Sequence, residues 1–266
     1  YDKIAYIEEH YEEEKDVLVQ KLQMLAHKLF RADNMMISYT AAKEDLNGME
    51  ELIEGLKKAM FEDPVEDTRC VLHCEMKNEG FKTASKVQYV ARVGNFIDNG
   101  ADYTGALQIL KVILSYDYLW QNVRVKGGAY GCMSGFSRTG EGYFVSYRDP
   151  NLERTMEVYE GIADYLRNFT VSDRDMNKYI IGTMSNIDQP MTPSAKGDRS
   201  FNLYMNKVSA ETIKKERLQI LEAGQEDIRK LADVVEAVMK AEQVCVIGSE
   251  EKIEEAKDMF KNVTTF

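Results

Sequence analysis

The sequence predicts an α+β domain in which an antiparallel-rich, mixed sheet is covered by helices. Two observations carry this expectation. Segments of period-two apolar alternation occur as pairs joined by turn-forming residues, and each pair is followed by stretches with the 3.6-residue period of amphipathic helices. With 266 residues, 44% of them hydrophobic, the chain is long enough to bury a sizeable core. It shows no short repeat and no low-complexity linker.

The elements follow in order. Residues 4–31 have Leu18, Leu22, Leu25 and Leu29 on one face and acids on the other, which predicts one long amphipathic helix. Met-Met-Ile-Ser-Tyr within 34–40 reads as a short strand, and a helix is expected from about Lys43 to Phe61, ending before Pro64. Val71 to Met76 and Lys86 to Gly94 read as two strands, joined as a hairpin across Asn78-Glu79-Gly80. From Tyr103 to Trp120 the chain is apolar nearly all round, the pattern of a helix buried on most of its surface.

A second hairpin is expected from strands at 129–136 and 143–147, with Gly140 and Gly142 in the connection. Asp149-Pro150 resembles an N-cap and first turn, opening a helix whose face is Leu152, Met156, Tyr159, Ile162 and Leu166. Ser172 with Asp175 has the form of a capping box. The rest is helix-rich from Lys178 to about Lys240, interrupted at Gln189–Pro193 and Gly224, and ends with a strand at 243–247 and a last helix.

Forty-five acidic against thirty-four basic residues give a net charge of -11, which disfavours a nucleic-acid partner. The run Glu12-Glu13-Glu14 is a solvated helix face. No apolar run reaches the roughly 18 residues of a membrane span. Four cysteines make no disulfide framework, so a reducing compartment, cytoplasmic or an organellar matrix, is expected. Cys70 and Cys74, with His73 between them, lie on a predicted strand that separates their Cα atoms by about 13 Å, too far to share an ion or a disulfide. The chain opens at Tyr1 inside a helical pattern and reads as an excised fragment, whose targeting segment would lie upstream.

The chemistry concentrates at the junction of the buried helix and the following strand, Arg124-Val-Lys-Gly-Gly-Ala-Tyr130-Gly131. Glycines there allow a backbone to come close to a ligand. The order Gly-Gly-Ala-Tyr-Gly matches neither phosphate-binding glycine pattern, which argues against a nucleotide site. On the residues alone, Arg124 fits a helix C-terminal cation and Tyr130 an alternating sheet residue as well as either fits a site. Cys132 reads as a packed thiol. The stripe Tyr143, Val145 and Tyr147 suits either a peptide groove or one buried sheet face.

The stretch Val123-Arg-Val-Lys-Gly-Gly-Ala-Tyr-Gly131 resembles the C-terminal half of the pitrilysin and insulysin family of inverted zincins, in its presequence-protease branch. Val87-Gln-Tyr-Val-Ala91, Ser146-Tyr-Arg-Asp-Pro-Asn151 and Asp188-Gln-Pro-Met-Thr-Pro-Ser-Ala-Lys-Gly197 are similar to the same branch. The resemblance covers 34–266 as the C-terminal peptidase-family domain, and 1–33 resembles the helix ending the domain before it. It implies a zinc endopeptidase that degrades unfolded peptides in a chamber closed by two halves, this chain being the zinc-free one.

In that family zinc is held by an H-x-x-E-H helix and a downstream glutamate in the N-terminal half. His10, His27 and His73 are the only histidines here and no pair has that spacing, so no metal ligand is assigned to this chain and it should be inactive alone. The resemblance assigns Arg124 and Tyr130 as donors to the scissile carbonyl. Lys126, Gly127, Gly128 and Gly131 come second, as residues that bind substrate or shape the backbone that does. A non-catalytic peptide-binding or scaffold relative with the same fold is the alternative.

Overall fold

A computed structural model describes residues 2–64 and 77–265. The chain divides into two compact units, Tyr1–His73 with Met191–Lys207, and Cys74–Pro190 with Val208–Phe266.

The first unit contains α1 (Asp2–Glu9), α2 (Tyr11–Leu29), α3 (Met49–Lys58) and, from later in the chain, the helix Pro193–Met205. The single helix expected over 4–31 is broken at His10. Its leucine face is not buried: Leu22, Leu25 and Leu29 are exposed. The strand expected at 34–40 is a 3-10 turn at Ala32–Asn34 followed by extended chain that has no ladder partner among the described residues, and extended chain is a strand only where its backbone groups pair with a second edge. The helix expected from Lys43 is a short 3-10 turn, Lys43–Leu46, and then α3, because Gly48 takes a φ of +84° that a continuing helix excludes.

The second unit contains a six-stranded sheet of β1 (Glu79–Thr83), β2 (Gln88–Asn95), β3 (Gly131–Phe136), β4 (Glu141–Asp149), β5 (Gln243–Ser249) and β6 (Asn262–Thr265). Their spatial order is β3-β4-β2-β5-β1-β6. The β3/β4, β4/β2 and β2/β5 pairs are antiparallel, whereas β5/β1 and β1/β6 are parallel. The mixed, antiparallel-rich sheet covered by helices is the fold class expected from the sequence.

The first expected hairpin is overturned. Residues 79–80, read as its turn, begin β1, which pairs with β5 and β6 and not with β2. Val71–Met76, Cys70, Cys74 and His73 lie outside the described residues. The second hairpin forms as expected, Gly131 opposite Tyr147 and Phe136 opposite Gly142.

All buried core residues among those described lie in this unit. The apolar run forms α4 (Ala106–Ile113), with Leu107, Ile109, Leu110 and Ile113 wholly enclosed. It does not stop at Trp120 but runs on as wide π-helical turns, Leu114–Tyr118 and Trp120–Val125, in which the Lys126 N–H reaches the Gln121 carbonyl at 3.0 Å. Next come α5 (Glu153–Glu160) and α6 (Ile162–Arg167), which bury the five predicted face residues from Leu152 to Leu166. In α7 (Asp173–Ile187), Ser172 caps by accepting the Asp175 N–H at 3.2 Å, as expected.

With Pro193–Met205 as α8, the remaining helices are α9 (Ala210–Leu221), α10 (Gln225–Met239) and α11 (Glu250–Glu255). Asp149-Pro150 is not the N-cap of α5, which begins after Leu152. No helix among the described residues is long and apolar enough to cross a membrane.

Along β4 the burial alternates. Phe144 and Ser146 face the helices, while Tyr143 and Tyr147 stand exposed on the opposite side together with Tyr89 of β2, Met133 of β3 and Ile247 of β5. The stripe read from the sequence is the exposed sheet face, and the enclosed face is its alternate.

Candidate functional site

The site is built where the π-helical run meets β3. At the end of that run the Gly128 N–H donates to the Arg124 carbonyl at 2.9 Å, and the Ala129 N–H to the Val123 carbonyl at 3.1 Å. The first bond closes the helix with Gly128 at the left-handed position, φ +82°. Gly127 is required by space: a Cβ there would fall against the Val123 carbonyl oxygen, well inside contact distance. Both glycines therefore shape backbone. Gly131 opens β3, and a Cβ on it would meet open space.

The side chains are distributed around this turn. Arg124 projects from the helix with its guanidinium over the Trp120 ring, 4.1 Å from the centroid. Lys126, also exposed, donates through Nζ to Asn122 Oδ1 at 3.2 Å. Tyr130, 65% exposed, stands at the head of β3. Its N–H is shared between the carbonyls of Tyr147 (3.1 Å) and Arg148 (3.3 Å). Its ring meets Tyr147 edge-on at 5.6 Å, and Tyr147 meets Tyr89 edge-on at 5.3 Å. The three tyrosines form a line across the open end of the sheet, in the offset geometry that aromatic quadrupoles favour.

Residues 146–151, which carry part of the family resemblance and were expected to open a helix but were assigned no role in the site, complete it from below. Arg148 takes a left-handed φ of +49°, and its guanidinium sits 5.6 Å from the Tyr147 ring and 6.0 Å from the Tyr130 ring. Asp149 is wholly buried. Its Oδ1 accepts the Asn151 N–H at 2.9 Å, and its Oδ2 the Thr155 hydroxyl at 2.7 Å. Asn151 Nδ2 donates to the Gly127 carbonyl at 2.6 Å. The signal that could have marked this corner is Asp-Pro-Asn, a turn-forming sequence in which an Asp side chain binds its own backbone two residues on.

Cys132 lies just beyond the turn. Burial pushes its thiol up to about 11, with the Arg124 charge pulling it down and Asp149 pushing it further up. It is the packed thiol the sequence implied, not an activated one.

Among the described residues no three His, Cys, Asp or Glu side chains converge on a point that could hold an ion. His10 contacts the Tyr6 carbonyl through Nδ1 at 3.0 Å, and His27 pairs with Asp63 at 2.7 Å. The described residues therefore offer zinc no fitting donor set.

A family model described as PreP C-terminal domain matches residues 78–251, a span that includes β1 to β5 and the whole Arg124–Asn151 corner. The chain belongs to the PreP C-terminal domain family. Within this family's reach, protein HypA of Clostridium perfringens (strain 13 / Type A) is 41% identical over 263 residues, covering 99% of this chain and 27% of its own length. Presequence protease 1, chloroplastic/mitochondrial, of Arabidopsis thaliana is 28% identical over 262 residues, 96% of this chain and 24% of that protein. The chain thus spans about a quarter of the length of these curated relatives.

The solved structure of pitrilysin superposes with a TM-score of 0.55 at 12% identity, over 84% of this chain and 25% of that one. At that identity the likeness speaks for the fold alone. A PreP C-terminal domain with the pitrilysin fold is what the resemblance in the sequence implied.

Proposed function

We propose that this chain is the C-terminal, substrate-binding part of a zinc-dependent endopeptidase, which degrades unfolded peptides in a chamber closed against an N-terminal half of the same polypeptide. Arg124 and Tyr130 are the donors that stabilise the negative charge building on the scissile carbonyl oxygen. Lys126 and the Gly127–Gly128 and Gly131 backbone border the peptide. Residues 1–33 close the preceding domain, and residues 34–266 form this one.

The observation that carries the reading is the placement of Tyr130. A tyrosine packed edge-on to Tyr147 yet 65% exposed keeps its phenol outward at the end of an open face of aromatic and aliphatic residues, Tyr147, Tyr89, Met133 and Ile247. A preset phenol and an Arg124 guanidinium held on Trp120 are donors whose orientation costs nothing at the moment of reaction. An extended peptide lies naturally on such a surface, its apolar side chains on the aromatic face.

On this reading the metal and the base that activates water come from the other half, and this chain alone is inactive. The test is to assay the isolated chain and the longer protein side by side for bound zinc and for cleavage of an unstructured peptide. The longer protein should do both and the chain neither. Stoichiometric zinc with cleavage by the isolated chain would refute the division of labour. Peptide binding without hydrolysis by the longer protein would identify it instead as a non-catalytic relative.

A further inference from the structure

We infer that Asn151, seated by the buried carboxylate of Asp149, is a positioning residue that holds the Gly127–Gly128 turn and thereby sets Arg124 on one side of it against Tyr130 on the other. The inference rests on the reading of that site given above.

The corner is a strap from Tyr147 to Asn151 that touches the turn at successive points. At one end the carbonyls of Tyr147 and Arg148 share the Tyr130 N–H. In the middle Pro150 lies beside Gly128, whose built Cβ would sit 3.5 Å from its Cγ. At the other end Asn151 Nδ2 donates to the Gly127 carbonyl at 2.6 Å. That carbonyl lies just past the C-cap Lys126, beyond the last bond of the helical run, where the backbone must find its partner elsewhere. A side chain 24 residues later supplies one.

Asn151 is in turn fixed from beneath. Asp149, 0% exposed, receives the Asn151 N–H on one oxygen and the Thr155 hydroxyl on the other. A carboxylate so enclosed is tolerated only when hydrogen-bonded, so these contacts set both its own orientation and that of Asn151. The anchor reaches α5 through Thr155, whose side chain is itself buried.

Arg124 and Tyr130 are both tied to what Asn151 holds. Gly128 is bound through its N–H to the Arg124 carbonyl, and Tyr130 follows two residues later. Donors to a developing oxyanion act only within a narrow range of distance, and a misplacement of about 1 Å can cost on the order of a hundredfold in rate. Asn151 touches no reacting atom, and its contribution is this spacing.

The test uses the longer protein that carries this chain, with Asn151→Ala and the near-isosteric Asn151→Asp, which sets a carboxylate against the Gly127 carbonyl. Both should lower kcat on an unstructured peptide about 10- to 100-fold with KM little changed; the thermal midpoint should move little in Asn151→Ala and fall further in Asn151→Asp, whose new carboxylate replaces an amide nitrogen 3.5 Å from Asp149 Oδ1. In hydrogen exchange, the Gly128, Ala129 and Tyr130 amides should lose protection in both variants, while those of α4 do not. Arg124→Ala and Tyr130→Phe are assayed in parallel. If they impair turnover and the Asn151 variants leave kcat and the three amides unchanged, the inference is overturned. If neither Arg124→Ala nor Tyr130→Phe impairs turnover, the functional reading falls, and the exchange measurement alone decides whether Asn151 holds the turn. A loss of kcat matched by an equal fall in thermal midpoint and by exchange throughout the core would also overturn it, since that marks general destabilisation.

Discussion

The Arg124 guanidinium carbon lies 4.1 Å from the centroid of the Trp120 ring, four residues earlier in the same helical run. The contact holds a long, rotamer-rich side chain in one direction at the exposed end of a helix, and a cation over an exposed indole is worth about 0.5–1 kcal/mol. If Arg124 acts on the substrate from that orientation, Trp120→Ala should lower kcat/KM about two- to fivefold, the rate equivalent of that energy. Steady-state kinetics of the longer protein on an unstructured peptide checks it. An effect as large as that of Arg124→Ala would mean that Trp120 does more than orient.

Tyr130→Phe removes one hydroxyl and leaves the ring that packs on Tyr147. If the phenol is the oxyanion donor proposed above, whose loss costs about 100- to 1000-fold in kcat, turnover should drop by that order while the zinc content of the longer protein and its thermal midpoint stay unchanged. Full turnover in the variant would remove the phenol from the mechanism.

The two glycines of the turn should differ in their tolerance. Gly128→Ala places a Cβ at φ +82° with only a contact to Pro150 to meet, and should cost about 1–2 kcal/mol. Gly127→Ala drives a Cβ against the Val123 carbonyl and should cost more, up to about 3 kcal/mol as backbone gives way. Denaturant titration of the two variants reads the order directly.

Asp149→Ala leaves the Thr155 hydroxyl and the Asn151 N–H without their acceptor, at about 1–3 kcal/mol for each buried group left unmatched. Asp149→Asn keeps an acceptor for the Asn151 N–H, and the Thr155 hydroxyl can turn to accept from the new amide. Its cost should stay near 1 kcal/mol. Chemical denaturation of both variants compares them.

Burial raises the Cys132 thiol from 9.0 to about 11, and it raises the Tyr159 phenol likewise. In both cases the unfolded chain gives up its proton first as pH rises. The stability linked to Cys132 is therefore fully present below about pH 9 and is lost as pH climbs through about 11. At pH 8, alkylation of Cys132, followed by mass spectrometry of its peptide, should be much slower in the folded protein than in urea. Equal rates would contradict a half-buried, protonated thiol.

Local structure was readable wherever neighbours in the chain decide it. Leu152, Met156, Tyr159, Ile162 and Leu166 share a helix face by their spacing, and that face is buried. Ser172 caps the helix it precedes, because a cap needs only a donor three residues away. The Asn78–Gly80 turn failed for the opposite reason. Glycine and asparagine there suit a turn, but pairing with β5 and β6, more than 160 residues later, makes a strand of 79–83.

The site divides in the same way. Arg124, Lys126, Gly127, Gly128, Tyr130 and Gly131 lie within one eight-residue stretch, and the resemblance to a known family, not residue type alone, singles it out. Tyr89, Tyr147, Arg148, Asp149 and Asn151 join it only through strand register and a 24-residue return of the chain, which no local pattern contains. The sequence by itself determined the helix face from Leu152 to Leu166, one hairpin and the fold class. The tertiary structure alone decided the strand order, which sheet face stays open and what holds the turn, because hydrogen bonds and packing between distant residues set these.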